Sequence, residues 1–379
     1  MAEHGEQKQI RALYVHIPFC VRKCNYCDFF SLNIAENKSH VDDYLNLLKK
    51  ELDDYKTSLD FSCLDSLYIG GGTPTAYPQL IDLVAWLKAS LNINESAEIT
   101  VEANPCTLDK YLLRELRLVG VNRLSLGVQS FDDELLSDMG RLHNSDAAIM
   151  AVTEAQKAGF DNISIDLIYG LPNQTMEIWQ ETLAQAVSVA VPHISVYGLS
   201  IHEDTPWGEL MQKGILAPAE DSLHVEMMEY VAEFLSANGF EHYEISNFAR
   251  VGCRSRHNQA YWHRLNYLGL GAAAASCIEN KRFKNVEAEY FSEPLLTREV
   301  EELSREQVLA EAVFLQLRMS DGIDIKEFNR RYAVNLLQKY DCEIEKLISY
   351  GLLENKHGVL KLTKKGIPLS NEVFLHFLP

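Results

Sequence analysis

Apolar runs alternate with amphipathic segments along the first two hundred residues of the chain. Six short runs have the composition of buried strands, namely LYVHI (13–17), SLYIG (66–70), EITVEA (98–103), RLSLGV (123–128), ISIDLI (163–168) and HISVYGL (193–199). The segments between them space their apolar residues as helices do, as in the stripe from Val41 to Tyr55 behind Ser39, a candidate N-cap. Gly120 and Gly159 stand where later helices should end.

Repeated strand–helix units predict a fold of the α/β class. Such units place their strands parallel and connect them by right-handed crossovers. These rules allow an α/β barrel or an open doubly wound sheet, and six units are too few for the usual eight-stranded closure. The interpretation we adopt is a partial (β/α)6 barrel over residues 10–245. Ligands of such folds bind at the carboxyl ends of the strands.

The chain changes character after residue 300. Helical segments beginning with REQVLAEAVFLQLRM lead to a hairpin pattern, LLENKHGVLKL, and then to a last helix. This order predicts a small α+β domain of the winged-helix type over residues 301–379, with residues 246–300 as a connector. The domain has 11 Lys and Arg residues against 12 Asp and Glu, so no basic surplus is present to bind nucleic acid. We interpret it as a structural or partner-binding lid.

The composition indicates the cellular compartment of the protein and argues against certain classes of partner. The net charge of −19 argues against nucleic acid or an anionic membrane surface as a partner. The stretch MAEHGEQKQI lacks the apolar core of a secretory signal, and no apolar run reaches the ~18 residues of a spanning helix. We therefore expect a cytoplasmic protein whose eight cysteines are thiols or metal ligands. Five of them are interpreted as small buried hydrophobes: Cys63, Cys106, Cys253, Cys277 and Cys342.

Three cysteines follow the first predicted strand in the stretch HIPFCVRKCNYCDFF. Cys20, Cys24 and Cys27 are one ligand short of the four that a structural zinc site needs, and His16 is the available fourth. Zinc therefore stays open as an alternative. A cubane [4Fe–4S] cluster held by three thiolates leaves one iron without a protein ligand, and that iron is open for chemistry. The spacing favours such a cluster.

Polar residues also stand at the ends of the next strands. GGGTPT follows the second strand, Glu102 ends the third, Gln129 ends the fourth, and Asp166 lies in the fifth. Because the carboxyl ends of parallel strands meet at one edge of a sheet, these residues are expected to converge with the cysteines. One shared site is the interpretation.

The spacing C-x3-C-x2-C with Tyr26 before the last cysteine, followed by the glycine run, resembles the radical S-adenosylmethionine superfamily. The resemblance extends from about residue 10 to 250. It implies that the amine and carboxylate of S-adenosylmethionine chelate the open iron and that an electron from the cluster cleaves the sulfonium to a 5′-deoxyadenosyl radical. Whether the molecule is cleaved or only sensed in this protein stays open.

Further motifs narrow the resemblance within the superfamily. YVHIPFCVRKCNYC, GGGTPT, VEANP, LSLGVQSF, GRLH and IDLIYGLPNQT are similar to the branch that contains oxygen-independent coproporphyrinogen III dehydrogenases and HemW-type heme chaperones. The resemblance implies three residues that hold S-adenosylmethionine on the cluster: Tyr14, Gly71 and Glu102. Six positions match contacts of a second S-adenosylmethionine in the dehydrogenases: Tyr26, Gly72, Thr73, Gln129, Arg141 and Asp166.

Two features separate the chaperones from the dehydrogenases. The dehydrogenases have a fourth cysteine two positions after the third, and here that position is Phe29. HNQAYW (257–262) matches the HNxxYW motif of the HemW-type chaperones. Both features favour the chaperone and imply that heme is bound and transferred to an acceptor such as a membrane respiratory enzyme. Dehydrogenation of coproporphyrinogen III is the alternative, and a homodimer is left open.

His257, the first residue of HNQAYW, is predicted to ligate heme iron or to lie beside the ligand. A neutral imidazole is a good axial ligand, and Tyr261 and Trp262 offer flat faces to a porphyrin. The alternative is a core histidine whose nitrogens are satisfied by other side chains. Because the motif follows the last barrel strand, we expect His257 at the open end of the barrel, beside the cluster.

Overall fold

The computed structural model describes residues 7–91, 93–293 and 298–379. The prediction that the N-terminal stretch lacks a secretory signal rests partly on residues 1–6, which lie outside this range. From residue 8 to 91 the elements are β1 (Lys8–Gln9), β2 (Ala12–Ile17), β3 (Phe19–Cys20), β4 (Leu32–Asn33), α1 (Lys38–Tyr55), β5 (Leu59–Asp60), β6 (Ser66–Gly71) and α2 (Leu80–Leu91). From residue 98 to 198 they are β7 (Glu98–Ala103), α3 (Lys110–Val119), β8 (Arg123–Gln129), α4 (Asp133–Asp138), α5 (Ser145–Lys157), β9 (Ile163–Tyr169), α6 (Met176–Ser188) and β10 (His193–Gly198).

The six predicted strands form the centre of one sheet. They are neighbours in the order β2-β6-β7-β8-β9-β10, and each adjacent pair is parallel. Helices α1, α2, α3, α5 and α6 bury their apolar stripes in a continuous core with these strands. The predicted partial (β/α)6 barrel is confirmed, and in the described part of the chain the sheet does not close on itself.

The following hundred residues extend this sheet at both edges. Their elements are α7 (Pro206–Gln212), α8 (Asp221–Ala237), β11 (Glu241–Glu244), β12 (Asn247–Ala249), α9 (Arg256–Trp262), β13 (Tyr267–Leu270), β14 (Ala275–Ile278), β15 (Lys281–Asn285) and β16 (Arg298–Glu302). β12 pairs antiparallel with β10, whereas β13 pairs parallel with β2 on the opposite side of the barrel. The segment 246–300 is therefore more than a connector, because it supplies strands to the main sheet.

The ends of the helices follow local side-chain chemistry. The carboxylate of Asp109 accepts hydrogen bonds from two backbone amides at the start of α3, and Gly120 ends that helix at φ +100°. α1 begins at Lys38, with Asn37 at its N-cap, so the prediction of Ser39 as the N-cap was wrong. The Asn37 carbonyl already accepts a bond from the Val41 amide, which places Ser39 inside the first turn.

The C-terminal domain has the predicted helices and hairpin. Its elements are α10 (Arg305–Leu317), β17 (Ile323–Asp324), α11 (Ile325–Tyr332), α12 (Leu336–Lys339), α13 (Asp341–Ser349), β18 (Leu353–Lys356), β19 (Val359–Leu362) and α14 (Ser370–Leu375). They enclose a second apolar core. The domain contacts the region of α9, where Arg264 pairs with the buried Glu311 at 2.7 Å and Arg331 donates to the carbonyls of His263 and Arg264. Among the described residues, no helix is long and apolar enough to cross a membrane.

Candidate cofactor site

The three clustered cysteines follow the carboxyl end of β2: Cys20 ends the short strand β3, and Cys24 and Cys27 lie in the loop after it. Cys20 is buried, and Cys24 and Cys27 are half-buried. Burial raises the pKa of the Cys20 thiol and raises that of Cys27 to about 11. Thiolates in such a place need a bound cation to stabilise them, which is the condition that a metal cluster meets.

The cysteine loop is anchored by the residue between its second and third thiols. The Asn25 side chain donates to the carbonyl of Asp138 at 2.8 Å, and its backbone amide donates to the carbonyl of Met139 at 3.0 Å. The Asn25 carbonyl accepts a bond from the amide of Trp207 at 2.9 Å. The loop is thus fixed between the end of α4 and the start of α7.

The scattered cysteines differ from this group. All eight cysteines are free thiols, and of the five predicted to be buried, Cys277 is buried and Cys253 is half-buried. Cys63, Cys106 and Cys342 are exposed, so the prediction was wrong for these three. Cys63 lies in a turn, Cys106 in a single helical turn after β7, and Cys342 near the start of α13.

Three consecutive glycines bring the backbone close to the cysteine loop and to Glu102. A Cβ on Gly70 would lie 2.9 Å from the carboxyl carbon of Glu102, and one on Gly72 would lie 2.8 Å from the Cys20 sulfur. Gly71 has φ +119°, a conformation that other residues rarely adopt. Only glycine leaves this edge of the barrel open to a ligand.

Glu102 is held by two donors at the rim of the barrel. Its Oε1 accepts a bond from the Tyr68 hydroxyl at 2.8 Å, and its Oε2 accepts one from the Gly71 amide at 3.0 Å. Burial raises the pKa of Glu102 to about 7, and the neighbouring charge of Asp166 adds to the rise. A cationic group beside this carboxylate would favour its ionised form.

Arg141 links the cysteine loop to the end of β8. Its guanidinium donates to the Cys24 sulfur at 3.3 Å and to the carbonyl of Gly127, while its buried Nε has no hydrogen-bond partner in the described structure. Gln129 ends β8 in the left-handed region at φ +71°. The site therefore contains a cation whose hydrogen-bonding capacity is not exhausted, as expected beside an anionic ligand.

The remaining residues predicted to contact S-adenosylmethionine lie at different distances from the carboxyl end of the barrel. The Thr73 hydroxyl donates to the Cys20 sulfur at 3.5 Å. Asp166 accepts bonds from the Ser125 hydroxyl, and burial raises its pKa. The ring centroid of Tyr26 lies 6.0 Å from that of Trp207. Tyr14 lies lower in the barrel, with its ring stacked on Tyr68 and its hydroxyl bonded to His16.

His16 is not available as a fourth metal ligand. Its Nδ1 is bonded to the Tyr14 hydroxyl at 2.9 Å, and its Nε2 to the carbonyl of Phe30 at 3.1 Å. A zinc site built from the three cysteines and His16 would therefore require His16 to give up one of these bonds.

His257 is at the other end of the barrel, and the prediction that it lies beside the cysteines was wrong. Its Nδ1 is bonded to the hydroxyl of Ser66, the first residue of β6, whereas Gly71 at the far end of that strand borders the cofactor site. Its Nε2 is bonded to the Tyr261 hydroxyl at 2.7 Å, and the residue is 1% exposed. Both possible iron-binding nitrogens are therefore occupied.

Tyr68 is a residue of the site that sequence reasoning missed. The period of two along β6 places Ser66, Tyr68 and Gly70 on the same face of the strand. Since the run GGGTPT, which begins at Gly70, was expected at the site, this alternation was the available signal that the Tyr68 side chain also points into the barrel.

Comparison with known proteins agrees with this geometry. The model of the radical SAM superfamily matches residues 14–186, and the model of the HemN C-terminal domain matches residues 303–369. The heme chaperone HemW of Bacillus subtilis is 37% identical over 97% of this chain and 99% of its own length. The heme chaperone HemW of Lactococcus lactis is 35% identical over 96% of each chain.

A solved structure shares the fold. Coproporphyrinogen III oxidase (HemN) from Escherichia coli superposes with a TM-score of 0.83 at 23% identity, over 98% of this chain and 90% of that chain. The open barrel and its cysteine loop thus define a radical S-adenosylmethionine protein. Within that superfamily, the chain belongs to the HemW family.

Proposed function

We propose that this protein is a heme chaperone, which binds heme and transfers it to an acceptor protein with a [4Fe–4S] cluster and S-adenosylmethionine as cofactors. The observation that carries the proposal is the 37% identity to the chaperone of Bacillus subtilis across 97% of this chain. Phe29 supports the same choice over the dehydrogenase, because a side chain that cannot bind metal, 61% exposed, stands two residues after Cys27.

Cys20, Cys24 and Cys27 are the proposed ligands of the cluster. Three thiolates leave one iron open, and the buried setting of Cys20 and Cys27 requires that their protons leave as the cluster binds. Arg141 places its guanidinium against the Cys24 sulfur, where its positive charge offsets the charge of the thiolates. When bound, the cluster supplies an electron and a coordination position.

Gly71 and Glu102 are the proposed contacts of the S-adenosylmethionine amine. Tyr68 and the Gly71 amide fix both oxygens of Glu102, so its carboxylate offers the amine a defined direction. The amine cation in turn favours the ionised form of a carboxyl whose pKa is about 7. Tyr14, the third proposed contact, has its hydroxyl bonded to His16 and contributes its ring below this layer.

A second S-adenosylmethionine is proposed to contact the residues around Arg141. The set is Tyr26, Gly72, Thr73, Gln129, Arg141 and Asp166. The unpartnered Nε of Arg141 and the buried Asp166 support a polar ligand in this place. The stoichiometry of S-adenosylmethionine bound to cluster-loaded protein tests the proposal, with two molecules expected.

The proposed acceptor is a heme protein such as a membrane respiratory enzyme, reached from the cytoplasm. A reducing compartment suits eight free thiols and a cluster held by three of them. The net charge of −19 makes direct capture by anionic lipid unfavourable, so the acceptor itself should provide the docking surface. Sedimentation of the heme-loaded protein distinguishes a monomer from a homodimer.

The function is tested with anaerobically reconstituted protein in two parallel reactions. In the first, heme-loaded protein is mixed with an apo-form of a heme enzyme, and we expect the acceptor to gain heme and activity. In the second, coproporphyrinogen III, reductant and S-adenosylmethionine are supplied, and we expect no porphyrin product. Product formation, or no heme transfer by cluster-loaded protein, would overturn the proposal.

A further inference from the structure

Two buried units with the same bonding pattern form the floor of the barrel, at the amino ends of its strands. In the first, which we call the His257 unit, the Ser66 hydroxyl is bonded to Nδ1 of His257 at 2.9 Å. Nε2 of the same imidazole is bonded to the Tyr261 hydroxyl at 2.7 Å. The unit joins the first residue of β6 to helix α9.

The second unit, the His193 unit, repeats this arrangement on neighbouring strands. Nδ1 of His193 is bonded to the Ser164 hydroxyl at 2.7 Å, and Nε2 to the Tyr243 hydroxyl at 2.9 Å. His193 is 0% exposed and His257 1% exposed, so the two imidazoles are buried to the same extent. They form a natural matched pair.

The two units differ in what lies above them. The His257 ring stacks on Tyr68 with centroids 4.9 Å apart and an interplanar angle of 28°. Tyr68 in turn donates its hydroxyl to Glu102 at 2.8 Å. The ring contact of His193 is with Tyr243, within its own unit. The described contacts therefore lead from His257 through Tyr68 to Glu102 at the rim. From His193 they lead instead through the hydroxyls of Ser164 and Ser195 towards Asp166.

The position of His257 is itself fixed from below. The carboxylate of Glu98, at the start of β7, accepts hydrogen bonds from the backbone amides of Arg256 and His257, each at 3.1 Å. These bonds fasten the first turn of α9 to the floor. The backbone that carries the imidazole is therefore held in place, and so is the ring that stacks on Tyr68.

We propose that His257 is a positioning residue for S-adenosylmethionine: its ring fixes Tyr68, and Tyr68 fixes Glu102 against the amine. The inference rests on the proposed function, because it takes Glu102 as a contact of that cofactor. In this role His257, the first residue of the HNxxYW motif, acts on the cofactor site through Tyr68 and does not itself contact a ligand.

The test compares His257→Ala with His193→Ala in cluster-loaded protein. Each change removes one imidazole and two hydrogen bonds from the floor, so both variants should lose similar thermal stability. Titration of S-adenosylmethionine, followed through the EPR signal of the reduced cluster, reports binding at the cluster alone. We expect about tenfold weaker binding for His257→Ala, the effect of a misplaced charge-assisted hydrogen bond, and less than about twofold change for His193→Ala.

A double-mutant cycle with Tyr68→Phe tests the path. If His257 acts through the Tyr68 hydroxyl, His257→Ala should have little further effect in the Tyr68→Phe background. Full additivity, or equal loss of affinity in both alanine variants, would overturn the inference. If His257→Ala does not fold, Tyr261→Phe and Tyr243→Phe remove the equivalent hydroxyl from each unit, and a weaker affinity is expected for the first alone.

Two controls separate this inference from the proposed function. Glu102→Gln should weaken S-adenosylmethionine binding; if it does not, the proposed contact is wrong whatever His257 does. If Glu102→Gln weakens binding and His257→Ala does not, the positioning role alone fails. Heme affinity, measured on the same His257→Ala sample, should be unchanged, and its loss would return His257 to the heme site.

Discussion

The two ends of the barrel contain similar polar residues in different bonding states. At the carboxyl end, a buried nitrogen of Arg141 has no hydrogen-bond partner in the described part of the chain, and three thiols are clustered nearby. At the amino end, His257 and His193 each have both ring nitrogens bonded to hydroxyl groups. The fully bonded histidines support the structure, whereas the unmet bonding capacity of Arg141, beside the clustered thiols, suits a ligand. Unmet capacity alone does not identify the ligand end, because the buried Nε of Arg123, the first residue of β8, also has no hydrogen-bond partner in the described structure.

The largest expected effect is the loss of the cluster from the carboxyl end. Replacing Cys20, Cys24 or Cys27 by Ser should abolish the iron–sulfur absorbance and the bound iron and sulfide, because three thiolates are the minimum that holds the cluster. Iron, sulfide and the visible spectrum are measured after anaerobic reconstitution.

Cys63→Ser and Cys253→Ser are the controls for this loss, since both residues lie away from the loop. They should retain full cluster content. A control variant without a cluster, or a loop variant with one, would contradict the assignment. The hydrogen bonds at the amino end of the barrel do not involve the cysteine loop. The three Cys→Ser variants should therefore have the same thermal stability as wild-type protein without the cluster.

A smaller effect is expected when the glycine edge is filled. In Gly70→Ala the new methyl would lie 2.9 Å from both the Glu102 carboxyl carbon and the Tyr68 ring, so Glu102 must move. We expect S-adenosylmethionine to bind about thirtyfold more weakly, which corresponds to about 2 kcal/mol for a lost charge-assisted hydrogen bond.

Affinity is measured on samples with equal cluster content. Gly252→Ala is the control: its methyl meets no described atom within 4 Å, but the φ of +83° disfavours alanine, so this variant should lose stability while it keeps its affinity for S-adenosylmethionine. Equal affinity of Gly70→Ala and the wild type would show that Glu102 does not contact the amine.

Sequence reasoning succeeded where the signal is local. The three cysteines occupy eight consecutive positions, and each predicted strand is a short apolar run, so their placement needed only the order of strands in an α/β fold. The contact between Gly71 and Glu102 follows from the same rule, since each stands near the end of its strand and neighbouring strands pair in parallel. Their role as cofactor contacts stays a prediction.

Sequence reasoning failed for His257 because its partners are distant in sequence. The imidazole is bonded to Ser66, which lies 191 positions earlier in the chain. Its location depends on β13, which returns to pair with β2 and carries α9 beneath the barrel rather than above it. Neither the pairing of β13 with β2 nor the location of α9 produces a periodic pattern in the sequence. The motif alone therefore could not distinguish a heme ligand from a core histidine.

The smallest predicted effect concerns the floor and acidic pH. Burial lowers the pKa of His257 to about 3, whereas the ordinary value in the unfolded chain is about 6.5. As the pH falls through 6.5, the unfolded chain binds a proton that the folded protein cannot bind, so stability is lost between these two values. From pH 8 to pH 5.5 this histidine should account for about 1.4 kcal/mol of the decrease in the free energy of unfolding. The decrease should therefore be smaller by that amount in His257→Ala.

Ser66→Ala is the control: it removes a bond but leaves the imidazole buried, so stability should fall at every pH while the pH dependence remains. An unchanged pH dependence in His257→Ala would mean that the folded protein protonates this imidazole over the same pH range as the unfolded chain, against the effect expected from its 1% exposure.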